Sequence, residues 1–155
     1  MFQQILRLRF ALSLLVMTML FSISISRATA QTKSGVTNRP CFRLETILNM
    51  PSDPINQTEL DGLLLMREEE KLARDVYIVL YHTWGQRIFN NISRSEQTHT
   101  NAVKTLLEKY QISDPVTNDS VGVFKNQTMQ KLFNELTTRG KTSLAEALKV
   151  GALIE

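Results

Sequence analysis

A chain of 155 residues, 43% hydrophobic and 21% charged, has the length of one domain and is too short for two comfortable cores. Its formal charge of +3 comes wholly from Arg7, Arg9 and Arg27. Without them fifteen basic side chains face fifteen acidic ones, and a neutral chain lacking a basic helical face argues against a nucleic-acid partner.

The first thirty residues read as a secretory signal peptide. "MFQQILRLRF" is a short basic start, "FALSLLVMTMLFSISIS" is an apolar run, and Ala28-Thr29-Ala30 offers a small-residue cleavage site. Export to a periplasmic or extracellular space is therefore expected. The competing reading is an uncleaved membrane anchor, disfavoured because the run sits near the lower length for spanning; it makes the membrane a partner only through this segment. Residues 31–56, rich in Pro, Ser, Asn and Gly, read as a flexible leader that docks locally through Phe42, Leu44 and Ile47. Cys41, the single cysteine, has no intrachain partner and reads as a free thiol, with intermolecular pairing as the alternative.

From residue 57 to 155 the chain reads as one all-helical domain, since no long apolar stretch alternates with period two. The first long helix is expected from about Thr58, at a cap with an acidic first turn, to Trp84 before Gly85. The second runs from about Ile88 to Tyr110. So short a link between two long helices predicts an antiparallel hairpin. A shorter helix is expected from Gln127 to Thr138, with Met129, Leu132, Phe133 and Leu136 on one face and Gly140 behind it. A last helix opens at a Ser143/Glu146 capping box and presents Leu144, Leu148, Gly151 and Ile154. It reaches Glu155 without a terminating Gly, Pro or polar tail.

"LMREEEKLARDVY", Leu65 to Tyr77, places three glutamates in the first helix. At about 100° per residue, Arg67, Glu68, Lys71, Arg74, Asp75 and His82 share the arc opposite the apolar one. Glu68 thus reads as solvated. Glu69 and Glu70 fall within the apolar arc, where an ionised carboxylate needs a cation, a metal or several hydrogen bonds. Periodicity alone does not choose between them.

On the second helix the apolar stripe is Ile88 or Phe89, Ile92, Val103, Leu106 or Leu107, and Tyr110, with Glu96 and His99 filling the gap. An i,i+3 pair faces one way, so this carboxylate and imidazole can converge. Glu-x-x-His projecting into a bundle core, with a Glu from a neighbouring helix, is a ligand device of di-iron carboxylate proteins. Oxygen and nitrogen donors suit iron, manganese or zinc. The plain alternative is a His99–Glu96 hydrogen bond with no metal.

Glu70, Ala73 and Tyr77 match the E-x-x-A-x-x-x-Y pattern of rubrerythrin-like and bacterioferritin-like proteins. "MREEEKLARDVY", "SEQTHTNAVKTLLEKY", "VGVF" and "SLAEALKVGALIE" together resemble the ferritin-like family called domain of unknown function 2202, over about Leu60 to Glu155. The resemblance implies a ferritin-like antiparallel helical bundle with a dinuclear centre, in which Glu70 is the first-helix ligand, Glu96 bridges, His99 binds one metal and Glu155 supplies a further carboxylate. It also implies a further helix with a second Glu-x-x-His unit. The only histidines here are His82 and His99, so the domain is expected to lack its last helix; the alternative is a homodimer that pairs two hairpins.

The leading expectation is an exported metal-binding protein, with iron or a similar metal as cofactor and oxygen- or peroxide-linked redox chemistry as its activity. The competing one is a helical interaction module whose Glu70, Glu96 and His99 form a buried polar network without metal.

Overall fold

The computed structural model describes residues 44–49 and 51–155. Over these residues the chain is all-helical, with no strand. The helices are α1 (Leu44–Asn49), α2 (Gln57–Trp84), α3 (Arg87–Lys109), α4 (Gln127–Gly140) and α5 (Leu144–Ile154). The expected signal peptide, Cys41 and Phe42 lie outside the described residues. No described helix is long and apolar enough to cross a membrane.

Local chemistry sets the helix ends. α2 is capped by Asn56, not within the Thr58 segment. The Asn56 side chain accepts from the Glu59 N–H while the Glu59 carboxylate accepts from the Asn56 N–H, a complete capping box. Gly85 stops α2 in the left-handed conformation at φ 64°, its N–H donating to the Tyr81 carbonyl. The Asn126 side chain caps α4 and the Ser143 hydroxyl caps α5. The Ser143 box is one-sided, because the Glu146 carboxylate turns to Arg139 and Lys149 instead.

α2 and α3, about 42 and 35 Å long at 1.5 Å per residue, form the expected antiparallel hairpin. The Tyr77 and Phe89 rings meet near its closed end, with centroids 6.3 Å apart. Leu72, Ala73, Val76, Tyr77 and Leu80 of α2 pack against Phe89, Phe124, Met129, Leu136, Ala147, Val150 and Ile154 to form the main core. α4 buries the face expected of it. α5 does so in part: Gly151 and Ile154 are inward and Leu144 packs against the core as expected, but Leu148 is half exposed and Ala147 and Val150 are buried instead. Gly140 belongs to the last turn of α4 rather than standing behind it, and lies so close to the Leu80 side chain that a Cβ would collide. Of the leader residues, Ile47 is buried and its carbonyl accepts from the Lys109 ammonium at 2.7 Å, while Leu44 is exposed.

The largest departure from the pattern concerns the polar arc of α2. Arg67, Lys71, Arg74 and Asp75 are buried, Lys71 and Asp75 at 0% exposure, and Glu68 is half-buried. The cause is residues 111–126, which cross this face and bring the polar partners with them. Asp75 accepts from the Lys71 ammonium at 2.5 Å, the Arg74 guanidinium at 2.9 Å and the Gly122 N–H at 2.9 Å. Lys71 also donates to the Ser120 carbonyl and lies 4.1 Å from the Phe124 ring centre. Arg67 takes Asp114, Arg74 takes Asp119, and Glu68 accepts from the Asn126 amide. Burial opposes the charge on Arg74, but hydrogen bonds to Asp119 and Asp75 outweigh it and raise its pKa. Gly122 has φ 78°, and a Cβ there would run into Phe133, so the close approach of the loop needs glycine.

Breaking a buried ion cluster by removing one partner leaves uncompensated charge. Asp75→Asn should therefore destabilise the fold by about 3 to 5 kcal/mol in urea unfolding. A loss below about 1 kcal/mol would show the cluster to be solvated.

Candidate metal centre

Glu70 lies about four turns of helix before Gly85 closes the hairpin, and Glu96 and His99 return at the same level on α3. The antiparallel register brings them together. One ligand atom from each of Glu70, Glu96 and His99 lies within 4.8 Å of the others. The His99 Nδ1 is 3.1 Å from Glu96 Oε2 and 3.4 Å from Glu70 Oε2. Both carboxylates are therefore presented to a single ring nitrogen, the arrangement a shared cation or proton requires.

The surroundings are polar where a hairpin seam is ordinarily apolar. Between Phe89 and Val103, the buried positions of α3 are Ser93, Glu96 and Thr100. Across from them Glu69 is buried and Glu70 half-buried. The buried stripe of α3 differs from the expected one: Phe89 and Leu107 are inward, Ile88 is half exposed, and Thr100 takes a place that the pattern assigned to His99. The His99 side chain is 53% exposed and sits at the rim, with Glu96 below it. The centre is thus built at the edge of the seam and opens to solvent through the imidazole.

Electrostatics in the cluster follow from two like charges held close. Burial pushes the Glu96 carboxyl up, the His99 hydrogen bond pulls it down, and the neighbouring Glu70 pushes it up again, for a net rise. The hydrogen bond to Glu70, then that to Glu96, raises the His99 pKa to about 10 against the opposing effect of burial. A divalent cation would satisfy both carboxylates and displace this proton, so metal affinity should increase with pH.

Glu155, the fourth expected ligand, does not join the cluster. Its carboxylate accepts from the Tyr77 hydroxyl at 3.0 Å, and the same hydroxyl is 3.1 Å from the Gly151 carbonyl. Tyr77 is buried on α2, two turns beyond Glu70. The matched aromatic position therefore holds Glu155 on α5 through its hydroxyl. Pattern reading missed Thr100, although its i+4 spacing from Glu96 puts it on the same face.

Without metal, the His99 imidazole should stay protonated well above pH 8 in an NMR titration, and Glu70→Gln should lower its pKa. Because the folded value lies above 6.5, the stabilisation from this pairing is complete below about pH 6.5. It fades as pH rises through about 10. An imidazole titrating near 6.5 in the folded protein would contradict the geometry.

The family model for the uncharacterized protein domain DUF2202 matches residues 59–155. An uncharacterized protein of Methanocaldococcus jannaschii, MJ0754, is 57% identical over 112 residues, which are 72% of this chain and 60% of that protein. The crystal structure of this hypothetical protein superposes with a TM-score of 0.67, covering 68% of this chain and 61% of that one. The chain thus spans about three fifths of the length of the relative it matches. Glu70, Glu96, His99 and Glu155 all fall inside the matched region, and the chain belongs to the DUF2202 family.

Proposed function

We propose that this is an exported, ferritin-like helical-bundle protein in which Glu70, Glu96 and His99 hold iron or a similar divalent metal. The observation that carries this reading is the convergence of two carboxylates and one imidazole from facing helices, within 4.8 Å. The donor set fits iron, manganese and zinc, all of which accept mixed oxygen and nitrogen ligands. A redox-active metal held there would supply electrons for oxygen- or peroxide-linked chemistry. The chain's own residues would set the charge at the centre, with two carboxylates offsetting a dication, and would leave access on the side of exposed His99. A dinuclear centre needs ligands beyond this trio. Glu155, whose carboxylate accepts from the Tyr77 hydroxyl, is one source of a further carboxylate that the family resemblance suggests. A second copy of the chain is the other source.

A second reading has its own support. With His99 Nδ1 within 3.4 Å of both carboxylates, a protonated imidazole could serve as the cation, making the trio a polar network that fixes hairpin register in an interaction module.

Two measurements separate the readings. Metal analysis of the purified protein beside the Glu96→Ala, His99→Ala double variant should show metal in the parent and a loss of most of it in the variant. Equal content in both would sink the metal assignment. Melting with added iron(II), manganese(II) or zinc(II) should raise Tm, because a ligand at about 100 times its Kd adds about 2.7 kcal/mol to the native state. A curve unmoved by metal or chelator would favour the polar network.

A further inference from the structure

Among the described residues, the hydroxyl of Thr100 is buried and has no hydrogen-bond partner. The residue is only 2% exposed. Desolvating a hydroxyl without a partner is unfavourable, and a threonine in a helix has a ready remedy, which is to donate to the carbonyl four residues back. Thr83, Thr98, Thr105 and Thr137 all do so, at 2.7 to 3.2 Å. Two of these, Thr98 and Thr105, are on α3 itself. Thr100 does not take this bond.

The place where it is held is informative. Thr100 follows Glu96 by one turn on the buried stripe and neighbours His99 in sequence. The pairings Tyr77 with Phe89, Arg74 with Gln97 and Glu70 with His99 fix the antiparallel register. In that register Thr100 stands at the level of Glu69 and Glu70. It shares the buried face of α3 with Glu96, whereas the neighbouring His99 is exposed to solvent. Ser93, the other buried hydroxyl of this stripe, is already satisfied by the Asn90 carbonyl. Thr100 is thus the hydroxyl of the seam left free to serve something that is not protein.

Resting on the metal reading of the trio, we propose that the Thr100 hydroxyl is a contact for a small exogenous ligand on the buried side of the centre. The class of ligand is water or a small anion of two or three atoms, able to meet a metal and a hydroxyl at once. Three protein donors leave coordination positions for such a ligand, and a hydroxyl can donate to it without adding charge to a seam that already holds two carboxylates.

Azide binding to the cobalt(II)-loaded protein, followed by visible absorption, tests the assignment. Thr100→Val keeps the shape and removes the hydroxyl, whereas Thr100→Ser keeps the hydroxyl. Parent and Thr100→Ser should bind azide alike, and Thr100→Val should bind it about tenfold more weakly at unchanged cobalt content. The metal-free Thr100→Val protein should melt at or above the parent temperature, because it loses a desolvated group that had no partner. Undiminished azide affinity in Thr100→Val overturns the proposal. So does a cobalt-loaded parent that binds no azide, loss of cobalt from Thr100→Val, or a marked fall in its metal-free melting point, which would reveal an internal partner. A parent that takes up no cobalt overturns the metal reading itself, and this inference with it.

Discussion

Asp75 is the point on which the described structure turns. A carboxylate at 0% exposure receives Lys71 and Arg74 from its own helix and the Gly122 N–H from the loop between α3 and α4. Those contacts leave the loop little freedom to lift from α2. Asp114, Asp119 and Asn126 repeat the theme along the same face, each bonded to an α2 side chain. The loop in turn sets the origin of α4: the Gln130 side chain bonds to both Gly122 and Phe124, fixing the first turn of α4 against it. Buried charge of this kind adds little net stability over an apolar core of the same volume. Its effect is to disfavour every arrangement in which one partner is missing.

The same cluster reaches the candidate centre. Arg74, besides Asp75 and Asp119, donates to the Gln97 side chain at 3.0 Å, and Gln97 adjoins Glu96. A one-residue slip of α3 would turn both Gln97 and Glu96 away. The hairpin register that brings Glu70 to Glu96 and His99 is thus held from two sides, by the Arg74–Gln97 bond and by the Tyr77–Phe89 contact near the closed end. Tyr77 links a third element, since its hydroxyl reaches Gly151 and Glu155 of the last helix segment. A Cβ at Gly151 would lie 3.3 Å from the Tyr77 ring and hydroxyl, so glycine makes room for that approach.

What was legible in the sequence follows the reach of each interaction. Helix existence, the hairpin and the inward face of α4 follow from a period of 3.6 residues and from capping chemistry within a few positions. The pairing of Glu96 with His99 is also local, being an i,i+3 relation on one helix. The polar arc of α2 was misjudged because the helical wheel records what lies on a face, not what covers it. Beyond Asp75 on the same helix, Arg67, Lys71 and Arg74 each take a partner from residues 114–120, more than forty positions away. Leu148 fails for the same reason. Its apolar character is plain, yet Ala147 and Val150 face the core and Leu148 is half exposed, because the neighbours of α5 in the fold, not its own pattern, choose the buried face.

The short α1 in the expected leader was not foreseen. The sequence by itself determined that residues 57–155 are helical, where the four helices there begin and end to within a few residues, and that Glu69 or Glu70 has to find a partner in an apolar arc. Those are properties of neighbours along one helix. Only the tertiary structure decided that Glu70 meets Glu96 and His99, that Glu155 is held by Tyr77 instead, that His99 stands at the rim, and that Thr100 occupies the buried place beside it. Each of these depends on the register of one helix against another. A shift of one residue rotates a helix by about 100° and replaces the whole set of side chains at a contact.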